Sequence, residues 1–163
     1  MARLFIAAWP TDEIVERLRE IPHPQEPGVR WVPETNWHIT LRFLGDADIE
    51  ETVRRLSSAP LPRSVAHLGP TVRGLGGRQL VVPALGVEAL ADAVLTATEG
   101  IGERDRHTFY GHITIARLAR DARSSVDGTA FRSEFEIGEI ALATSTLLPT
   151  GATYTRIATF ATM

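Results

Sequence analysis

Two short segments of this chain repeat one chemical pattern: His38-Ile39-Thr40-Leu41 and His112-Ile113-Thr114-Ile115. Each offers an imidazole and a hydroxyl two residues apart. On a regular β-strand, residues i and i+2 point to the same face. Each segment is therefore expected to aim one His and one Thr together, with its aliphatic residues on the opposite face. Two such strands set against each other would enclose two groups able to give or take a proton near neutral pH. They would add two neutral hydrogen-bond donors. That combination suits a small anion, and phosphate chemistry above all.

Composition narrows the chemistry. The chain has no Cys, and all 17 of its basic residues are Arg. Thiolate nucleophiles, thiolate zinc sites and disulfides are excluded. Without Lys there is no Schiff base, no lysyl-nucleotide intermediate and no phosphate-loop lysine. The formal net charge of −3 argues against a broad, salt-dependent grip on long nucleic acid. It leaves room for a pocket that reads one nucleotide or one RNA end with local arginines. No His/Asp/Glu grouping has a convincing metal-ligand pattern, so neither metal nor cofactor is expected. No apolar run approaches the ~18 residues that span a membrane. A cytoplasmic protein, monomeric and away from membranes, is the expectation.

The elements that must position the motifs follow from hydrophobic periodicity. Arg3 to Trp9 reads as a strand, and Pro10-Thr11-Asp12 opens a helix with Ile14, Val15, Leu18 and Ile21 at helical spacing. Three prolines between Pro22 and Gly28 make a loop. Val29 to Val32 is a short extended piece, and Trp37 to Leu44 is the first motif strand. A second helix carries Ile49, Val53 and Leu56. Ser64 to Leu75 and Arg78 to Pro83 read as a hairpin about Gly76-Gly77. A third helix runs from about Val87 to Ile101. Gly111 to Arg117 is the second motif strand, and Phe135 to Leu147 and Thr153 to Phe160 read as the last two strands. Each motif strand follows a helix in its own half. The economical fold is α+β, with two pseudo-symmetric lobes, each an antiparallel sheet flanked by helices, in one bilobal domain over residues 1–163. The active cleft is expected between the lobes.

The flanks of the motifs extend the candidate site. Arg42 shares the His38–Thr40 parity on a regular strand and could reach the pocket, whereas Arg117 has the opposite parity to His112. Tyr110 has the parity of His112 and is the more plausible ligand contact among the aromatics. Phe43 is expected to pack in the core. Arg30 and Trp31 precede the first motif and could line the approach of an RNA end. His23 and His67 are expected to be structural or solvated.

Taken together, Arg30-Trp31-Val32-Pro33, Asn36 to Gly45, Phe109 to Arg117, and Ser145-Thr146-Leu147 with Gly151 to Tyr154 resemble the two-histidine (2H) phosphoesterases. The branch most similar is the RNA 2′,3′-cyclic phosphodiesterases, also called 2′-5′ RNA ligase-like proteins. The resemblance covers nearly the whole chain. It departs at Gly111, where many relatives have Pro, and at Thr144, where many have a bulky aromatic. It implies a metal-free site that opens the terminal 2′,3′-cyclic phosphate of RNA and leaves a 2′-phosphate. Some members also join RNA halves through a 2′-5′ bond without ATP. It further implies that His38 is the proton donor and His112 the proton acceptor. From the chemistry and position of the residues themselves, Thr40, Thr114, Arg42, Arg117 and Tyr110 are the expected substrate contacts. Two alternatives remain open at this point: a cyclic phosphodiesterase for a small nucleotide, and a non-catalytic nucleotide-binding module.

Overall fold

A computed structural model describes residues 3–104 and 107–163. Ten strands and three helices alternate along them. β1 (Arg3–Ala8), α1 (Asp12–Arg19), β2 (Val29–Trp31), β3 (Ile39–Gly45) and α2 (Ile49–Ser57) come first. β4 (Ser64–Leu68), β5 (Arg73–Leu75), β6 (Gln79–Leu85) and α3 (Glu88–Ala97) follow. The chain ends with β7 (His112–Leu118), β8 (Ser133–Ile137), β9 (Glu139–Leu148) and β10 (Gly151–Ala161).

The helices begin where the local chemistry starts them. The Thr11 hydroxyl accepts from the Ile14 amide, Asp12 and Glu13 occupy the first turn of α1, and Ile14 and Leu18 are buried. That is an N-cap with favourable charge at the positive end of the helix dipole. Asp48 does the same for α2 by accepting from the Glu51 amide at 2.9 Å.

Hydrogen bonding runs β10-β9-β1-β3-β7-β6-β4-β8, with β2 beside β7 and β5 beside β6. Every pairing is antiparallel. The two halves of this order are four strands each, and they join where the motif strands meet. That junction is narrow, a single register pair between Ile39 and Ile113. Both isoleucines are fully buried. Burying such a side chain is worth roughly 1.5–3 kcal/mol, so the aliphatic residue inside each motif anchors the junction from behind.

The helices are exchanged between the halves. α1 follows β1 yet packs against β8, and α3 follows β6 yet packs against β3. One core cluster therefore runs under both halves, from Leu4 and Leu18 to Val94 and Ile137. Two expected strands are broken. Ser64 to Leu75 divides into β4 and β5 at Gly69-Pro70, because Pro lacks the amide a continuous ladder needs. Phe135 to Leu147 divides at Gly138, where the chain leaves one half and joins the other: β8 pairs with β4, and β9 with β1. Gly76 and Gly77, at φ 61° and 70°, turn β5 into β6, a conformation that favours glycine. Among the described residues no helix is long and apolar enough to cross a membrane.

Candidate active site

Antiparallel pairing of Ile39 with Ile113 decides what the motif residues face. With that register, His38 lies across from Thr114 and Thr40 across from His112. All four side chains come from the face opposite the buried isoleucines. They line one cavity of about 460 Å³. Arg30, Trp31, Asn36, Phe43, Gln79, Arg117, Ser145 and Tyr154 also line it, with the β9–β10 turn at Thr150 to Ala152. Among the described residues no Asp or Glu lines it, and the permanent charges are Arg30 and Arg117. The cavity is thus electrostatically suited to an anion.

Arg42 is not in it. The register of β3 on β1 pairs Ile6 with Arg42 and Ala7 with Thr40, leaving Leu41 as an extra residue. Such a β-bulge reverses the parity beyond it. Arg42 therefore turns to the core face, where it is only 5% exposed. Its guanidinium donates to the carbonyls of Thr98, Ile101 and Glu103 at the end of α3 and in the segment beyond. The expectation that it contacts substrate is corrected on that ground. Phe43 takes the place Arg42 was expected to hold. It is 36% exposed and lines the cavity rather than the core, with the Arg3 guanidinium 4.9 Å from its ring centre.

The second motif strand carries a matching irregularity. β6 pairs Leu80 with Ala116 and Val81 with Thr114, so Ile115 is extra. The bulge follows each motif Thr by one residue in both halves. It brings Arg117, five residues beyond His112, onto the cavity face, as it brings Phe43, five beyond His38. Tyr110 is not a lining residue. It stacks beside the His112 ring, 5.6 Å between centroids at 25°. Gly111 has a packing reason: a Cβ there would sit 2.4 Å from the Ala84 carbonyl oxygen and 2.9 Å from Val87 Cγ2.

Each imidazole is oriented from behind in the same way. His38 Nδ1 donates to the Asn36 carbonyl at 2.7 Å, and His112 Nδ1 to the Tyr110 carbonyl at 2.7 Å. A carbonyl only accepts, so Nδ1 carries the hydrogen and the Nε2 lone pair is the reactive one. There the symmetry ends. Thr40 donates to His38 Nε2 at 2.9 Å, whereas Thr114 donates to Gln79 Oε1 at 2.9 Å.

The surroundings of the two rings differ as well. Phe5, Trp9 and Tyr154 enclose His38 with ring centroids 5.1–5.3 Å away. Burial in this aromatic shell pushes the His38 pKa down to about 4; the Asn36 carbonyl opposes the shift, while the charges of His112 and Arg117 add to it. His112 is also held below the usual imidazole value, first by burial, against the pull of the Tyr110 carbonyl, and further by Arg117.

Phe5, Trp9, Gln79 and Tyr154 were not singled out as functional from the sequence. Phe5 and Trp9 belong to the run Leu4 to Trp9, which is apolar at both parities, so alternation gives no face to prefer. Tyr154 and Ser145 lie in the third block quoted above and are direct partners across β9–β10. Nothing about Gln79 in the sequence distinguishes it from a surface residue. Away from the site, His67 pairs with Glu134 at 3.0 Å, and His23 rests beside Trp31.

A paired His–Thr cavity across two antiparallel half-sheets is the arrangement that the resemblance to the 2H phosphoesterases leads one to expect. Comparison with known proteins agrees. The family model for LigT-like phosphoesterases matches residues 6–66. The RNA 2′,3′-cyclic phosphodiesterase of Aquifex aeolicus is 27% identical over 182 residues, covering 96% of this chain and 93% of that protein. The RNA 2′,3′-cyclic phosphodiesterase of Archaeoglobus fulgidus is 28% identical, covering 97% and 99%. The crystal structure of E. coli LigT with 3′-AMP superposes with a TM-score of 0.82 at 25% identity, over 99% of this chain and 98% of that one. Over nearly its whole length the chain is similar to the RNA 2′,3′-cyclic phosphodiesterases and to LigT, and its first part matches the LigT-like phosphoesterase model.

Proposed function

We propose that this protein hydrolyses the terminal 2′,3′-cyclic phosphate of RNA to a 2′-phosphate without a metal ion, by general acid/base catalysis between His38 and His112. The supporting observation is the meeting of the two motif strands at Ile39 and Ile113, with both His–Thr pairs on one carboxylate-free cavity. Two relatives are named RNA 2′,3′-cyclic phosphodiesterases, and one LigT crystal structure is of its complex with 3′-AMP.

The chemistry follows from the requirements of in-line displacement at phosphorus. Water attacks from one side and gives its proton to the Nε2 lone pair of His112. The P–O3′ bond breaks on the other side, and the departing ribose oxygen takes a proton from His38 Nε2. The products are a 2′-phosphomonoester and a 3′-hydroxyl. Thr40 and Thr114 donate to the non-bridging oxygens as charge builds there. The substrate itself resolves the low basicity of His38. A cyclic phosphodiester brings a negative charge between the rings, and that charge favours the protonated imidazole.

The rate of an oligonucleotide ending in 2′,3′-cyclic phosphate, measured in excess EDTA, tests this reading; absence of turnover contradicts it. Thr40→Val and Thr114→Val are each expected to lower kcat about 10²-fold, the scale of one oxyanion donor. Retention of more than a third of the wild-type kcat would remove the hydroxyls from the mechanism.

A pH dependence follows from the depressed imidazoles. One His must be protonated and the other neutral, so kcat/KM follows a bell set by the two values of the free enzyme. Both lie below the ordinary 6.5, one of them near 4. Below the lower value both rings are protonated and above the upper value neither is, so the rate falls on both sides; the active form between them carries the single proton on His38 and leaves His112 neutral. The maximum is expected between about pH 4 and 6.5, with about a tenfold loss per unit well above it. A maximum above pH 7.5 would contradict the assignment.

A further inference from the structure

Arg30 and Arg117 are direct cross-strand partners on β2 and β7. Both are exposed and both line the cavity. Like charges directly opposite in a sheet destabilise it. Five arginines elsewhere are paired with acids: Arg17 with Glu20, Arg19 with Glu34, Arg54 and Arg55 with Glu51, and Arg63 with Glu136. Among the described residues no ion pair is formed by Arg30 or Arg117, and no acid lines the cavity. Gln79, the partner of Arg117 on β6, continues the row with another polar side chain.

The two His–Thr pairs already supply the acid, the base and two donors that one reacting phosphate requires. The arginine row lies further along β7. Arg117 lies three positions beyond Thr114, and at ~3.3 Å per residue, less the bulge, that is roughly 7–10 Å. This offset is of the order of one nucleotide's length.

We infer that Arg30 and Arg117 form a second anion subsite, which binds a phosphate on the 5′-oxygen of the nucleoside whose cyclic phosphate is opened. This rests on the function proposed above and deepens it. The enzyme selects a substrate with two phosphate groups over one with the cyclic phosphate alone. Such a phosphate has two sources, the internal phosphodiester of an RNA strand and the 5′-phosphate of a free nucleotide.

Four substrates separate these outcomes: a nucleoside 2′,3′-cyclic phosphate, its 5′-phosphorylated form, a dinucleotide ending in the cyclic phosphate, and that dinucleotide with an uncharged methylphosphonate linkage. The expected result is a kcat/KM about tenfold higher for the two substrates with the extra charge, the size of one hydrogen-bonded charge pair. Arg30→Gln and Arg117→Gln are each expected to lower that ratio to about threefold, and the double variant to bring it near one. The ratio is internal to each variant, so a folding defect cancels. If the dinucleotide outperforms the 5′-phosphorylated mononucleotide, the strand is the source; equality makes the free nucleotide sufficient. Equal rates on all four, a preference that survives the methylphosphonate, or a ratio unchanged in the variants overturns the subsite. Turnover of none of them contradicts the proposed function instead. The affinity of the 2′-phosphate-ended product dinucleotide against its methylphosphonate counterpart then still reads the subsite by the same expected ratio.

Discussion

His38→Ala and His112→Ala are each expected to lower kcat by 10²–10⁴, the range for loss of a positioned general acid or base. The double variant should be little worse than the poorer single one, because proton donor and acceptor act on one displacement as a unit. Single-turnover rates on an RNA ending in 2′,3′-cyclic phosphate measure this. A single variant keeping more than a tenth of the rate contradicts a two-imidazole mechanism. The unequal surroundings make the comparison informative. His38 sits in an aromatic shell formed by Phe5, Trp9 and Tyr154, whereas His112 has Tyr110 stacked beside it. Raising the pH should therefore penalise the wild type in proportion to the loss of a proton from a site that already holds it weakly.

Arg42→Met is expected to be the most costly substitution away from the cavity. Arg42 donates to the Thr98 carbonyl at 2.5 Å and the Ile101 carbonyl at 2.9 Å, closing the C-terminal end of α3. A cation there also opposes the negative end of the helix dipole. Methionine fills much of the volume but leaves those buried carbonyls without their donor. Hydrogen bonds to a charged group are worth about 1.5–3 kcal/mol each, and the net loss should be about 3 kcal/mol. For a chain of this length that corresponds to a Tm lower by about 10 °C. A shift below about 3 °C by calorimetry would show that Arg42 does not hold the end of α3.

These two expectations mark what the sequence does and does not reveal. The histidines and threonines were legible because a period of two, repeated in two distant segments, is a pattern that burial and strand geometry leave few ways to satisfy. The helices were legible from the apolar spacing of Ile14 and Leu18 and of Ile49, Val53 and Leu56, with Thr11 marking the start of the first. The arginines were not. Arg42 has the right parity on a regular strand and Arg117 the wrong one, and the bulges at Leu41 and Ile115 reverse both. A bulge depends on how two strands register against their neighbours, which residues in contact decide and local sequence does not. Likewise, Gly138 looks like an ordinary strand glycine until the pairing shows that the chain changes halves there. The exchange of α1 and α3 between the halves has the same origin, since amphipathic spacing says that a helix has an apolar face and not which sheet it covers.

The position of the phosphate in the product tests the central claim most directly. An oligonucleotide with a 2′,3′-cyclic phosphate end, digested in the presence of EDTA and analysed by phosphorus NMR, is expected to yield only a 2′-phosphate, with no product from His38→Ala or His112→Ala on the same timescale. A 3′-phosphate end, or a 2′-phosphate formed as fast by the variants as by the wild type, would contradict it.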